Sequence, residues 1–295
     1  MPAFALTCCS TADRPKSFFD ARDIPYACFH WSEGGVDHLD DLYQSTTPEA
    51  FYAAIKAGAT PTTSQVSVGE YAKLWEPVLV GGLDVLHVSL SSGLSGAFGA
   101  AEVAARQAMA DHPGRRVLVV DSLGASSGYG MLVEYLADLR DEGATLEEAH
   151  AWALEHRLNV HHWFFSGDLT SYVRGGRVSR VSGFVGTALK ICPVLNMNDE
   201  GKLIPRDKIR TKAKAERDMV ARMLEHAEGG AAYAGKCAIS QSACRADAEA
   251  VRDMVERQFP ALAGKVTIND IGTVIGSHTG PGTVALFFMG DRRGR

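Results

Sequence analysis

The chain has 295 residues, of which 46% are hydrophobic and 22% are charged, and its formal net charge is −5. This is the composition of a globular protein, and the length allows two domains or one large α/β unit. The negative net charge without a basic stripe argues weakly against nucleic acid and anionic membrane surfaces as main partners, and any membrane contact is expected to be transient.

The first half of the chain alternates short apolar runs with amphipathic stretches, as parallel sheets covered by helices do. The runs at 83–90 and 117–120 are almost continuously apolar, which is typical of strands buried on both faces. Predicted strands lie at 4–7, 26–31, 83–90 and 117–120, and predicted helices at 48–57, 67–80, 95–111, 126–142 and 146–158.

The second half has a different pattern of predicted elements, which are separated by irregular glycine turns. Predicted strands lie at 160–165, 189–197, 236–240, 266–270 and 283–289, and predicted helices at 212–228 and 245–259. This order indicates an α+β unit with a mostly antiparallel sheet. We therefore predict an N-terminal α/β domain with a parallel sheet at 1–157 and a C-terminal α+β domain at 158–295.

Small hydroxyl-rich turns follow three strands of the first half, at 8–11, 91–96 and 121–124, and a fourth such segment, 62–65, is predicted as a loop. Ligands of parallel sheets bind outside the carboxyl ends of the strands. Hydroxyls, backbone N–H groups and a helix N-terminus near 95–96 favour an oxyanion. Since these turns contain no lysine or arginine, a carboxylate fits better than a polyphosphate.

Three further residues stand out for their charge or proton chemistry. His278 lies in the segment GSHTGPG, read as a turn, where a neutral imidazole could donate a hydrogen bond to a carboxylate. Arg177 and Arg210 lie in two basic clusters that are expected to be exposed. These clusters are either solvated or able to meet an acidic partner or an incoming phosphate.

An esterase of the α/β-hydrolase type is the alternative function. The sequence GASSG at 124–128 fits a nucleophile elbow around Ser126, and Asp270 and His278 follow in the order of a catalytic triad. Against it, Ser126 lies five residues beyond Asp121, the residue that follows the predicted strand, and no HGGG-type oxyanion segment precedes it. Neither a P-loop nor a dinucleotide-binding fingerprint is present.

Metal and disulfide chemistry are not predicted. The six cysteines form neither a disulfide framework nor a CxxC zinc pattern. His161 and His162 are adjacent, so on a strand they would point to opposite faces and could not ligate one ion together. With no apolar run near the roughly 18 residues of a membrane-spanning helix and no signal peptide, we predict a soluble protein of the reducing cytoplasm.

The first strand and the six motifs that follow it in this order resemble the DegV family of bacterial fatty-acid-binding proteins: TSQ at 63–65, SSGLSG at 91–96, DS at 121–122, RGGR at 174–177, KIR at 208–210 and IGSHTGPG at 275–282. The resemblance implies a two-domain α/β protein with a fatty acid buried between the domains. It also implies a binding subunit without catalytic residues or cofactor, which presents the carboxylate to a separate ATP-using fatty acid kinase subunit.

The resemblance also implies roles for individual residues. Thr63 and Ser95 match the carboxylate-binding hydroxyls of the family, with Ser64 and Gly96 beside them, and His278 matches its nearby histidine. By the same resemblance, Arg177 and Arg210 match the basic residues of the family that are thought to face the kinase. Cys9 and Cys192 differ from the residues that are usual in the family. These differences bear on the polar network around the carboxylate-binding hydroxyls and on recognition of the partner.

Overall fold

The computed structural model describes residues 2–179 and 191–294. The strands in this part of the chain are β1 (Phe4–Cys9), β2 (Tyr26–Ala27), β3 (His30–Glu33), β4 (Val36–Leu39), β5 (Thr62–Ser64), β6 (Asp84–Ser89), β7 (Val117–Asp121), β8 (Val160–Ser166), β9 (Ile191–Met197), β10 (Leu203–Arg210), β11 (Cys237–Gln241), β12 (Thr267–Asp270) and β13 (Thr283–Met289). The α-helices are α1 (Lys16–Ala21), α2 (Pro48–Lys56), α3 (Val68–Val80), α4 (Ala97–Asp111), α5 (Ser126–Asp141), α6 (Leu146–His156), α7 (Thr170–Arg174), α8 (Lys212–His226), α9 (Arg245–Gln258) and α10 (Thr273–Thr279).

A parallel sheet organises the first half of the chain, as predicted. Its order is β2-β1-β6-β7, and all three pairings are parallel. Helix α4 packs against β7 and α3 through small alanines, including the fully buried Ala101 and Ala104, which allow a close approach. Helix α3 begins with a capping box in which Ser67 and Glu70 satisfy each other's backbone N–H groups.

A six-stranded sheet organises the second half, in the order β10-β9-β8-β13-β11-β12. Among the pairings within the described strands of this sheet, only β11–β12 is parallel, which confirms the mostly antiparallel prediction. Strand β9 begins at Ile191 in the structure, whereas residues 189 and 190 of the predicted strand lie outside the described residues. A domain boundary at 157/158 stays a prediction.

Helix α5 joins the two sheets. It packs against β1 of the parallel sheet and against β8, β11 and β13 of the six-stranded sheet. Both of its faces are therefore buried, and even Ser127 and Gly128 in its first turn are inaccessible to solvent or nearly so. In the described part of the chain, no helix is both long and apolar enough to cross a membrane.

A third, three-stranded sheet was not predicted. Strands β4, β3 and β5 pair in that order, and Trp31 lies opposite Thr63. The single strand predicted at 26–31 is therefore wrong, because β2 and β3 belong to different sheets. The prediction of a loop at 62–65 is also wrong, since Thr62–Ser64 forms β5. Strands this short take their stability from long-range pairing, which local sequence does not display.

Two segments near the predicted functional residues also differ from expectation. The GSHTGPG segment is not a turn throughout, because Thr273–Thr279 forms α10 and His278 lies in its last turn. The basic cluster around Arg210 is not a separate exposed turn, because residues 208–210 end β10, and α8 begins at Lys212.

His87 lies in the core of the parallel sheet, and its burial predicts a pH-dependent stability. Its Nδ1 atom is 3.0 Å from the Thr7 hydroxyl, its Nε2 atom is 3.7 Å from Cys9 Sγ, and the rings of Tyr71 and Trp75 pack on it. Burial lowers the pKa of His87 to about 3. Since the unfolded chain holds a proton on this ring below about pH 6.5 and the folded chain does not, stability falls as the pH drops from 6.5 towards 3.

The expected size of this effect is about 2 kcal/mol between pH 7 and pH 5. Urea unfolding at the two pH values should show a larger loss of stability for the wild type than for His87→Asn, by about that amount. Equal losses in the two proteins would show that His87 does not titrate as its burial requires.

Candidate functional site

A cavity of about 230 Å³ lies between the carboxyl-end turns of the parallel sheet and one face of the six-stranded sheet. A single water needs only about 10–15 Å³ of such space, so the cavity holds a much larger ligand. Its apolar lining comes from Phe29, Leu90, Leu94, Ala125, Phe164, Tyr172, Met197, Leu203, Ile271, Val274, Ile275, Ala285 and Phe287.

The strand periodicity explains which residues of the six-stranded sheet reach the cavity. His162 and Phe164 of β8 line it, as do Thr283, Ala285 and Phe287 of β13, and each set is spaced by two residues. Side chains at this spacing share one face of a sheet. These residues were not predicted to belong to a site, because both strands are buried on both faces and show no polar–apolar alternation that would distinguish one face from the other.

The polar end of the cavity is built around His278. Its Nε2 atom is 2.7 Å from the hydroxyl of Thr63, and Arg177 Nη1 lies 3.5 Å from its Nδ1 atom. Because a guanidinium group can only donate, this contact favours the tautomer with the proton on Nε2. His278 then donates to Thr63 Oγ1, and the hydroxyl proton of Thr63 remains available to a ligand.

His278 is neutral at physiological pH. Burial, together with the positive charges of Arg177 and Arg174, lowers its pKa to about 4. Its ring packs directly on the backbone of residue 175, where a methyl group would lie 2.2 Å from His278 Nδ1. Only glycine allows this approach, which gives Gly175 a function in holding the ring.

Ser95 lies beside the start of α4 and lines the same cavity. Its hydroxyl oxygen accepts a hydrogen bond of 3.2 Å from the backbone N–H of Ala97, so its own proton can be donated elsewhere. The first N–H groups of a helix lack intrahelical partners and attract negative charge. Gly96 lies against the side chain of Gln65, which joins this turn to the β5 segment.

The structure places Arg177 differently from the prediction. It was expected in an exposed turn outside the hydroxyl cluster, yet it is half-buried and lines the cavity. Its Nε and Nη2 atoms donate to the carbonyl oxygen of Leu94 at 3.2 and 3.0 Å, directly before Ser95. Arg210 is exposed at the end of β10 and does not line the cavity.

The cavity therefore brings together five residues that the sequence analysis named as fatty-acid ligands, namely Thr63, Ser64, Ser95, Gly96 and His278. Gln65 and Arg177 add further donors. The described residues that line the cavity include no aspartate or glutamate. An apolar chamber with donors gathered at one end can hold an amphipathic molecule with an anionic head.

The contacts of Ser126 contradict the hydrolase alternative. Its hydroxyl donates to Asp13 and contacts Ser240 Oγ at 3.0 Å. The other two triad candidates are also engaged elsewhere, since His278 contacts Thr63 and Asp270 accepts from Gln241. The proposed triad is not assembled.

Comparison with solved structures supports the fold. A DegV family protein from Thermus thermophilus, described as binding fatty acid, is 28% identical, and the match covers 99% of this chain and 100% of that one with a TM-score of 0.85. The B3 protein of the Streptococcus pneumoniae fatty acid kinase, solved with linoleic acid, is 20% identical, and that match covers 98% and 100% with a TM-score of 0.83. At this lower identity the second likeness concerns the fold alone.

Sequence comparisons identify the family. A DegV domain-containing protein of Clostridium perfringens is 31% identical over 295 residues, which are 99% of either chain. The family model described as uncharacterised protein, DegV family, matches residues 3–291. The chain belongs to the DegV family, as the motifs predicted.

Proposed function

We propose that this protein binds a long-chain fatty acid in the cavity, with the carboxylate at the end formed by Thr63, Ser95 and His278. The observation that carries the proposal is the 2.7 Å contact between Thr63 and His278, which line the same cavity as Ser95 among mostly apolar side chains. Each methylene transferred from water to this lining contributes about 0.8 kcal/mol, so the acyl chain supplies most of the affinity.

We further propose that the bound acid is a substrate presented to a separate, ATP-using kinase subunit, and that this chain contributes no catalytic residue or cofactor. In that reaction a carboxylate oxygen attacks the γ-phosphorus of ATP, ADP leaves and an acyl phosphate forms. Hydroxyls and a neutral imidazole suit this use. A bidentate arginine would hold both carboxylate oxygens and compete with their attack.

Mass spectrometry of the purified protein tests the binding proposal. Native spectra should show the chain with one bound lipid, and organic extraction should release a long-chain acid. The ligand-free protein should take up a fluorescent fatty acid at one site. Absence of a co-purified acid together with absence of uptake would contradict the proposal.

The two arginines should separate lipid binding from kinase transfer. Arg210→Ala is expected to retain the fatty acid but to lower kinase-dependent acyl-phosphate formation, because the exposed guanidinium is available for an acidic partner surface. Arg177→Ala is expected to lower both, since Arg177 contacts Leu94 and His278. Raising the salt concentration should partly mimic the effect of Arg210→Ala.

Arg217 provides the matched control, because it is exposed on α8 and outside the cavity lining. Arg217→Ala should change neither loading nor transfer. Full transfer activity of Arg210→Ala with the cognate kinase would remove Arg210 from the docking surface.

A further inference from the structure

A second depression lies on the face of the six-stranded sheet that points away from the cavity. His161 and Trp163 of β8 line it, since they alternate with the cavity residues His162 and Phe164. His226, the last residue of α8, and Asp291, just after β13, lie at the same place. The fatty-acid proposal assigns no function to this cluster.

The three side chains bring their ligand atoms together. His161 Nε2 lies 2.9 Å from Asp291 Oδ1, and His226 Nδ1 lies 3.2 Å from the same oxygen. One ligand atom from each of the three residues lies within 4.8 Å of the other two. Bonds of about 2.0–2.1 Å at tetrahedral angles separate zinc ligands by about 3.3 Å, so the two histidine–aspartate distances are already close to that spacing.

The backbone holds two of these residues in register. The N–H of Asp291 donates to the carbonyl oxygen of His226 at 3.0 Å, and Ala227 forms a β-bridge with Gly290. A methyl group at residue 290 would lie 2.2 Å from the His226 oxygen, so this approach requires glycine. The pairing of His226 with Asp291 is thus built into the main chain and does not depend on side-chain rotamers alone.

We propose that His161, His226 and Asp291 form a binding site for a divalent transition-metal ion of the Zn²⁺ class, with the remaining coordination position open to solvent. Two imidazoles and one carboxylate favour Zn²⁺ over Mg²⁺ or Ca²⁺, which prefer oxygen ligands. Three protein ligands with an open position are typical of reactive rather than closed structural zinc sites.

A metal ion would bind His161 through Nε2, the ring atom that lies beside the Asp291 carboxylate. In the metal-free protein His161 Nε2 also contacts the Asp291 carbonyl oxygen at 2.9 Å. Metal binding replaces these hydrogen bonds, and the ring then carries its proton on Nδ1.

The surrounding charges set a limit on affinity. Arg293 is buried nearby, and its charge opposes a cation, as do those of Arg206 and Arg292 in the same depression. The charge of Arg222 is offset by Asp207, Asp218 and Glu225, each within 4.0 Å. We therefore expect Zn²⁺ to bind more weakly here than at a closed site.

The test uses the untagged, full-length protein after removal of metals with a chelator. Calorimetric titration should show one Zn²⁺ per chain, and Zn²⁺ should raise the melting temperature. Titration with Co²⁺ should produce the intense visible bands of four- or five-coordinate cobalt, without the near-ultraviolet thiolate band that cysteine ligands would cause.

Substitutions should assign this metal to the cluster. His226 is partly buried and Asp291 is exposed, so substitutions at these positions should leave the fold intact. His226→Gln and Asp291→Asn are each expected to raise the dissociation constant for Zn²⁺ at least about a hundredfold. Removing a residue that only hydrogen-bonds a ligand already lowers metal affinity about 10–100-fold, and these variants remove a ligand itself. His112→Gln is the matched control, because His112 pairs with Glu76 elsewhere on the surface. It should bind like the wild type.

Three results would overturn the inference: no Zn²⁺ binding by the wild type, unchanged binding in both cluster variants, or a cobalt spectrum with thiolate bands. Loading of fatty acid should be the same with and without Zn²⁺, because the two sites lie on opposite faces of the sheet. This separates the metal site from the proposed lipid function.

Discussion

Ala285→Phe is expected to raise the dissociation constant for a long-chain fatty acid about a hundredfold. Ala285 lies on β13 and faces the cavity, where a phenyl ring would occupy the space of several methylenes. Displacing about four methylenes costs about 3 kcal/mol, which corresponds to that factor. Displacement of a fluorescent fatty acid measures the change, and the smaller Ala285→Leu should give an intermediate value.

Ala213 supplies the matched control for this substitution. It is exposed on α8 and does not line the cavity, so Ala213→Phe adds the same ring without filling the chamber. Circular dichroism should show that all three variants are folded. Wild-type affinity in a folded Ala285→Phe protein would mean that the acyl chain lies elsewhere.

Thr63→Val and Ser95→Ala are each expected to weaken fatty-acid binding about tenfold to a hundredfold. A hydrogen bond to a charged group contributes about 1.5–3 kcal/mol, and each substitution removes one hydroxyl donor. In the Thr63 variant the Nε2 atom of His278 also loses the oxygen that lies 2.7 Å away. The affinity that remains should come from the acyl chain, so binding is weakened and not abolished.

The neighbouring residues offer close controls. Thr62 and Ser92 are exposed and lie outside the cavity lining, so Thr62→Val and Ser92→Ala should bind like the wild type. The methyl ester of the same acid lacks the carboxylate charge and should bind all these proteins with similar affinity. If the ester and the acid responded equally to Thr63→Val, the hydroxyl would not contact the carboxylate.

The sequence predicted the two main sheets because their central strands are long and apolar. Strands β6 and β7 are buried along most of their length, so their sequences are nearly continuous runs of hydrophobic residues. By contrast, β5 has only three residues, of which two are exposed, and it forms through pairing with β3. A strand of three residues is too short to show a periodic pattern. The sequence therefore predicted a loop at Thr63, although the family resemblance implied that Thr63 binds the carboxylate.

The site was predicted in part for a related reason. The hydroxyl turns follow their strands directly, so the topology of a parallel sheet brings them to one edge. Arg177 could not be placed in this way, because its burial depends on the carbonyl oxygen of Leu94, 83 residues away in sequence. A basic turn is predicted to be exposed when the neighbouring sequence gives no sign of a buried hydrogen-bond acceptor for its side chain.

His161 is a second example of a residue whose neighbours in the fold cannot be predicted from the local sequence. His161 and His162 face opposite sides of the strand, as predicted, since each lines a different pocket. That prediction concerns only the adjacent pair and says nothing of ligands from distant segments. His226 and Asp291 come from 65 and 130 residues further along the chain, and only the folded sheet brings them to His161.

A crystal structure of the protein with a long-chain fatty acid brominated at its terminal carbon tests the orientation of the ligand most directly. Anomalous scattering from the bromine locates the tail, and the electron density locates the carboxylate. We expect the bromine inside the apolar chamber and a carboxylate oxygen within about 3.2 Å of Thr63 Oγ1 or Ser95 Oγ. A carboxylate at the opposite end of the chamber, or a ligand bound outside it, would contradict the proposed function.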